Sequence, residues 1–111
     1  EAHWPGPLSG LVVTRHGHAA ACRSVEIVEA SHPVPDAAGL AVARRMMDIA
    51  HAVDPDDFVL FLMSGGGSAL FEAPRPPATL ADVAATTDLL LRAGAPIQHL
   101  NAVRTPLSQV K

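Results

Sequence analysis

An uninterrupted apolar run followed by three glycines is the feature that most restricts the fold of this chain. Residues 58–63 read Phe-Val-Leu-Phe-Leu-Met, and the glycines at 65–67 follow between Ser64 and Ser68. Such a run predicts a strand buried on both faces, as in a parallel sheet, and ligands of parallel sheets bind beyond the carboxyl ends of the strands. At that end, successive glycine N–H groups can converge on an anion, and the two serine hydroxyls can add hydrogen bonds. We therefore predict that this segment binds a phosphate or a carboxylate.

The segments before this run alternate between strand and helix patterns. Residues 11–14 and 25–30 are typical of strands, because the first is β-branched and the second partly alternates between polar and apolar residues. Apolar residues recur at helical spacing over residues 40–53, and Asp36 is placed to cap the first turn. Strand, helix and strand in succession indicate a βαβ unit, so we predict an α/β fold with a mostly parallel sheet. A right-handed crossover would put His32 and the glycines along one rim of that sheet.

Two further helices are predicted after the glycines. Thr79 and Asp82 form a capping-box pattern at the start of an amphipathic segment over residues 80–91. Asn101 and Arg104 would share one face of the last helix. An arginine fork matches phosphate and carboxylate geometry, and an amide beside it can orient a substrate hydroxyl, although a surface salt bridge accounts for the pattern equally well.

Length and composition restrict the class of protein. The 111 residues suit one compact domain, the net charge is −3 and aromatic residues make up 4%, so we expect no nucleic-acid partner. No run approaches the roughly 18 apolar residues of a membrane-spanning helix, and we expect no membrane partner either. The single Cys22 has no partner for an internal disulfide, which favours a reducing compartment, with the cytoplasm as the expected location.

Three histidines stand near the ends of the predicted strands. His16 and His18 are two residues apart on an extended segment, so both imidazoles could face a metal ion, but no nearby cysteine and no clear third ligand completes a site. We therefore expect no metal centre at these residues. His32, between a strand and two prolines, is either an ordinary loop histidine or a ligand-binding residue at the rim.

Five blocks of the chain resemble, in order and spacing, the type 2 glycerate kinases that carry a MOFRL domain, which are often named hydroxypyruvate reductases. The resemblance extends through nearly the whole chain. The matching blocks are residues 9–18, 29–36, 64–70, 94–95 with 101–104, and 107–108 with Lys111. The standard nucleotide motifs are absent: no Gly-Lys-Ser/Thr follows the glycines, and Leu70 stands where a Gly-x-Gly-x-x-Gly motif would end.

The resemblance implies a Rossmann-like, three-layer αβα fold and a kinase activity. In that family the γ-phosphoryl group of ATP is transferred to the 2-hydroxyl of D-glycerate, with Mg²⁺, in a cleft between a larger domain and the smaller MOFRL domain. Residues 1–111 are similar to the central part of the larger domain, and the MOFRL domain is not present in this chain. The family's lysine-bearing segment is also absent from these residues, so we expect them to be inactive alone. D-glycerate and a nucleotide are the implied partners. Whether the protein forms a homodimer is left open.

The resemblance also implies a set of site residues, all present in this chain. Arg104 and Lys111 are the expected catalytic residues, which neutralise charge on the phosphoryl group. Asn101 would orient glycerate, and Asp36 or His32 would help to hold Mg²⁺ or the substrate hydroxyl. The expected substrate- and phosphate-binding residues are Ser64, Gly65, Gly66, Gly67, Ser68, Asn101, His32, Asp36 and Ser108.

This chain departs from the family pattern near Arg104. His99, Thr105 and Pro106 replace an acidic residue, a lysine and a histidine. Pro106 is expected to end or kink the helix that carries Arg104.

Two functions other than the kinase activity stay open. An NAD(P)H-dependent hydroxypyruvate reductase is disfavoured by the missing Gly-x-Gly-x-x-Gly motif, and a non-catalytic binding module would give no heat with ATP and Mg²⁺.

Overall fold

A two-stranded parallel sheet and a helix packed against it form the first half of the fold. The computed structural model describes all residues from 1 to 111. The strands are β1 (Gly10–Arg15) and β2 (Val25–Ala30), paired in parallel from Gly10 beside Val25 to Arg15 beside Ala30. The helices are α1 (Ala37–His51), α2 (Gly67–Leu70), α3 (Leu80–Arg92) and α4 (Ile97–Arg104), and a 3₁₀ turn covers Thr105–Leu107. The predicted α/β class with a parallel sheet is confirmed.

Helix α1 begins where the sequence predicts. The Asp36 side chain accepts a hydrogen bond from the Gly39 N–H at 2.9 Å, which confirms the predicted N-cap. Val42 and Ala43 are buried, and α1 packs on β2. Helices α1 and α2 approach closely at Gly39, because a Cβ atom there would lie 2.9 Å from the Leu70 carbonyl oxygen. None of the helices is long and apolar enough to cross a membrane.

The predicted strand over residues 58–63 is wrong, because these residues form no strand and make no backbone hydrogen bonds. Their side chains are exposed, from 58% for Val59 to 81% for Leu62. A strand needs a neighbour that satisfies its N–H and C=O groups, and neither β1 nor β2 pairs with this segment. The apolar run therefore indicates a preference for burial, and it does not specify a pairing within this chain.

Helices α3 and α4 form the second half of the fold. Thr79 and Asp82 make the predicted capping box: the Asp82 N–H donates to Thr79 Oγ1 at 3.2 Å, and the Thr79 N–H donates to the Asp82 carboxylate at 2.8 Å. Helix α4 ends at Arg104, and Pro106 lies in the 3₁₀ turn that follows. The prediction that Pro106 ends or kinks this helix is thus confirmed.

The C-terminal residues pair with the loop that follows α2. Residues 73–75 and 107–109 run side by side in opposite directions, and the Gln109 N–H donates to the Ala73 carbonyl at 2.8 Å. This pairing brings Lys111 into contact with Glu72, which lies two residues after the end of α2.

Candidate functional site

A cleft of about 420 Å³ lies at the carboxyl ends of β1 and β2. Thr14 and Arg15 at the end of β1 line one side, His32 follows β2, and residues 64–66 line the other side. A larger concavity of about 870 Å³ lies around Trp4 at the N-terminal end and contains none of the predicted site residues. The structure therefore brings His32 together with the first residues of the glycine segment, at the rim where the two strands end.

The glycine loop, residues 64–68, turns sharply and leaves backbone donors free. Gly66 has a φ of +83°, and the Gly67 N–H donates to the Ser64 carbonyl at 3.3 Å. The N–H groups of Gly65 and Gly66 donate to no group of the protein, and both residues are exposed at the cleft. An exposed turn with unpaired N–H groups is suited to holding an anion.

Arg15 and His18 form a hydrogen-bonded pair on the β1 side of the cleft. Arg15 Nε donates to His18 Nε2 at 2.7 Å, so this imidazole nitrogen is the acceptor of the pair. Arg15 is the one residue lining the cleft whose charge is permanent. The sequence-based predictions did not assign either residue to substrate binding. The available signal was their position directly after a predicted strand, on the rim where ligands of parallel sheets bind.

Glu29 holds the turn that carries His18. Its Oε1 atom accepts hydrogen bonds from the N–H groups of Gly17, His18 and Ala19 at 2.9, 3.1 and 3.0 Å. These bonds, led by that of Ala19, hold the pKa of the Glu29 carboxyl below its usual value, although desolvation acts in the opposite direction. The ionised Glu29 thus fixes the turn and the position of His18 beside the cleft.

His16 and His18 have different partners. His16 faces two carboxylates, with Nδ1 3.8 Å from Glu29 Oε2 and Nε2 3.9 Å from Asp36 Oδ2. His18 is bonded to Arg15 instead. No group of three or more His, Cys, Asp or Glu side chains is arranged to hold a metal ion.

Asp36 uses both of its carboxylate oxygens within the protein. Oδ1 accepts from the Gly39 N–H at 2.9 Å, and Oδ2 accepts from the Ser31 N–H at 3.1 Å. Burial acts to raise the pKa of this carboxyl, but the hydrogen bonds from Gly39 and Ser31 outweigh it and hold the pKa below its usual value. The carboxylates near the cleft do not fit a Mg²⁺ site made by this chain alone, since Asp36 caps α1 and Glu29 holds its turn.

Arg104 and Lys111 do not line the cleft; they form a buried ionic cluster with Glu72. The exposed fractions of the side chains are 5% for Arg104, 13% for Lys111 and 0% for Glu72. Arg104 Nη2 donates to the Ser68 carbonyl at 2.8 Å and to Glu72 Oε2 at 3.2 Å, and Lys111 Nζ donates to the same Glu72 oxygen. The sequence-based predictions missed Glu72. Its signal was a lone acidic residue within the otherwise apolar stretch 69–73.

The ionic cluster changes the proton affinity of Lys111. Burial lowers the pKa of its ammonium group below the usual value, the hydrogen bond to Glu72 opposes that effect, and the positive charge of Arg104 adds to it. Two cations share one carboxylate in this part of the protein.

Four predicted site residues lie in neither place, and two of them are Asp36 and Gly67. Asn101 is exposed on α4 and does not line the cleft. Ser108 is buried: its carbonyl accepts from the Arg75 guanidinium at 3.1 Å, and its Oγ accepts from the Val110 N–H at 3.3 Å. The structure therefore divides the predicted residues between the cleft and the ionic cluster, which Ser68 contacts through its carbonyl. Asp36, Gly67, Asn101 and Ser108 lie outside both.

Comparison with known proteins matches the whole chain, residues 1–111, to the family described as Domain of unknown function (DUF4147). A relative in Agrobacterium vitis, provisionally named hydroxypyruvate reductase, is 46% identical over 112 residues, covering 100% of this chain. The D-glycerate 2-kinase of Thermotoga maritima is 45% identical over 103 residues, and the glycerate 2-kinase of Pyrococcus horikoshii is 41% identical over 102 residues. Each of these two alignments covers 92% of this chain.

Two solved structures share the backbone arrangement. The crystal structure of a Pyrococcus horikoshii protein superposes with a TM-score of 0.83 at 41% identity, and that of the glycerate kinase of Thermotoga maritima superposes with a TM-score of 0.80 at 44% identity. Each comparison covers 93% of this chain. The chain spans about a quarter of the length of these three curated relatives, between 23% and 26%.

Proposed function

Because this chain belongs to the DUF4147 family, we propose that it forms part of an ATP-dependent glycerate 2-kinase. The reaction moves the γ-phosphoryl group of ATP to the 2-hydroxyl of D-glycerate and gives 2-phosphoglycerate. In this proposal, residues 1–111 are the central part of a larger Rossmann-like domain, and a MOFRL domain forms the other wall of the active-site cleft. The proposed location is the cytoplasm, where the single Cys22 stays reduced.

The observation that carries the proposal is the cleft at the carboxyl ends of the two strands. It combines the unpaired N–H groups of Gly65 and Gly66 with the permanent positive charge of Arg15. Such donors match the oxygens of a phosphate or a carboxylate. Glycerate and ATP are both anions, so the lining suits both proposed reactants.

Phosphoryl transfer depends mainly on alignment of the reactants and on stabilisation of the charge that spreads over the phosphoryl oxygens. In the proposed mechanism, the glycine loop binds those oxygens through its free N–H groups and its serine hydroxyls. Arg15 binds an anionic group from the opposite side, and His18 fixes the Arg15 guanidinium through their 2.7 Å hydrogen bond. His32 borders the same cleft and is proposed to help hold the reacting hydroxyl.

The buried cations have a different part in the proposal. Arg104 contacts the glycine loop by donating to the Ser68 carbonyl. Arg104 and Lys111 both add positive charge next to the loop. Asn101 stays a predicted glycerate-binding residue on the exposed surface of α4. Mg²⁺ in the family reaction neutralises phosphate charge. Asp36 and Glu29 near the cleft already accept backbone hydrogen bonds, and no cluster of three or more potential ligands holds that ion in this chain.

The proposal is tested with the protein expressed from the complete open reading frame that encodes these residues. With ATP and Mg²⁺, release of ADP should require D-glycerate, and phosphorus NMR should identify 2-phosphoglycerate as the product. A chimera provides a second test: this chain replaces the matching 103 residues of the Thermotoga maritima D-glycerate 2-kinase. A folded open-reading-frame product and a folded chimera that both release no ADP with D-glycerate would contradict the proposal.

The name of the Agrobacterium vitis relative supports a second candidate, an NAD(P)H-dependent hydroxypyruvate reductase. The same protein preparation separates the two activities. Oxidation of NAD(P)H that requires hydroxypyruvate and needs no ATP would favour the reductase. Neither activity, together with no heat on titration of ATP and Mg²⁺, would favour a non-catalytic binding module.

A further inference from the structure

We infer that Glu72 is a positioning residue that holds Arg104 against the glycine loop and so keeps the loop in its anion-binding shape. The inference rests on the proposed function, because it takes the loop as the phosphate-binding element. The Glu72 side chain is 0% exposed, so it has no direct access to a ligand in the cleft. Its influence on the site must therefore pass through other residues.

One nitrogen of Arg104 connects Glu72 to the glycine loop. Arg104 Nη2 lies 3.2 Å from Glu72 Oε2 and donates to the Ser68 carbonyl oxygen at 2.8 Å. Lys111 donates to the same carboxylate oxygen, so one atom of Glu72 binds two cations. Without the negative charge the two buried cations would repel each other, and Arg104 would lose the contact that directs Nη2 at Ser68.

The ionic cluster is poorly arranged for stability alone. Glu72 Oε1 and Arg104 Nε are buried without a hydrogen-bond partner, which is unfavourable. Buried ion pairs often stabilise a fold no better than apolar side chains of similar volume. The arrangement is explained better by the place where it holds Arg104 Nη2, against the Ser68 carbonyl of the glycine loop.

The test compares ligand affinity with stability in the Glu72→Gln variant of the protein expressed from the complete open reading frame. The probe is inorganic pyrophosphate, titrated by calorimetry under conditions in which circular dichroism shows each variant to be folded. We expect Glu72→Gln to bind pyrophosphate about tenfold more weakly or worse, and Glu72→Asp, which keeps the charge on a shorter side chain, to lose about threefold. In glycerate phosphorylation, kcat should fall more than the KM for glycerate changes, since the loop contacts the phosphoryl group.

Glu26→Gln is the matched control, because Glu26 also pairs with an arginine, Arg45, through two hydrogen bonds on the exposed surface. It should bind pyrophosphate as the wild type does. A folded Glu72→Gln protein with wild-type affinity and only a lower free energy of unfolding would overturn the positioning role. If Glu72→Gln does not fold, wild-type affinity in Glu72→Asp overturns it.

The inference and the proposed function fail in different ways. A wild-type protein that binds pyrophosphate but does not phosphorylate D-glycerate would overturn the proposed reaction, while weaker pyrophosphate binding by Glu72→Gln would still support the positioning role. A folded wild-type protein that binds no pyrophosphate would overturn the positioning role itself.

Discussion

Gly66 and His32 are packed so closely that a Cβ atom at Gly66 would lie 2.8 Å from His32 Nε2. Gly66 also has a φ of +83°, a backbone conformation that favours glycine. The turn that leaves the loop N–H groups free and the contact with His32 therefore depend on the same residue. Position 66 is restricted to glycine by its backbone and by its neighbour at once.

We expect Gly66→Ala to lower the free energy of unfolding by about 1–3 kcal/mol, because the left-handed conformation is costly for alanine and the methyl group also meets His32. Gly65→Ala is the matched stability control, since a Cβ atom there meets nothing within 4 Å, and its change should stay within about 0.5 kcal/mol. Urea unfolding followed by circular dichroism measures both. Adding His32→Ala to Gly66→Ala should restore the part of the unfolding free energy lost through contact with His32, but not the part lost through the backbone conformation. Equal stability of the two single variants would contradict the packing described.

Arg15→Met should weaken binding of D-glycerate or pyrophosphate about tenfold, because it removes the permanent charge from the cleft while keeping an unbranched side chain. Calorimetry with each ligand shows which anion Arg15 binds. Arg92→Met is the control, since Arg92 pairs with Asp88 at 2.8 Å on the surface of α3 and does not line the cleft. A similar loss in both variants would indicate a general charge effect and would exclude a specific contact at Arg15.

Local sequence signals were sufficient to predict the starts of α1 and α3 and the end of α4, but not α2. The Asp36 cap, the Thr79–Asp82 capping box and the end of α4 before Pro106 each depend on residues within about one helical turn. Side-chain and backbone groups so close in sequence meet whatever the rest of the fold does. These elements could therefore be predicted from patterns of a few residues.

Features that join distant residues could not be predicted in this way. The strand predicted over residues 58–63 would need a neighbouring strand, which the apolar pattern of these residues does not specify. Glu72 meets Arg104 and Lys111 across 32 and 39 positions of sequence, and no local pattern indicates that three charged side chains are buried together. The position of Arg15 at the cleft follows from the alignment of β1 with β2, which is again a long-range property.

Asp36→Ala should lower the free energy of unfolding by about 1 kcal/mol, because the Gly39 N–H loses its cap and the Ser31 N–H loses its acceptor. Asp48→Ala is the control: Asp48 is an exposed residue inside α1, and its replacement should change the stability by no more than about 0.5 kcal/mol. Thermal and urea unfolding provide the measurement. If the two variants are equally stable, the capping role of Asp36 is wrong.

Stability should decrease in acid because several carboxyl groups have hydrogen bonds only in the folded state. The pKa values of Glu1, Glu26, Glu29 and Asp82 are held below their usual values, mainly by hydrogen bonds from Arg23, Arg45, Ala19 and Thr79 respectively. The usual values are 4.5 for glutamate and 3.8 for aspartate. As the pH falls, the unfolded state takes up protons first, so this stabilisation is present above the unfolded pKa values and is lost as the pH falls through the folded ones.

We therefore expect the free energy of unfolding to change little between about pH 7 and 5 and to fall increasingly below about pH 4.5. Glu29→Gln should make the acid limb less steep, since it removes one of these groups together with the charge that holds the turn at Gly17 and Ala19. Urea unfolding at a series of pH values checks both statements. A variant that loses stability at pH 7 but keeps the full steepness of the acid limb would show that Glu29 is not one of the groups responsible.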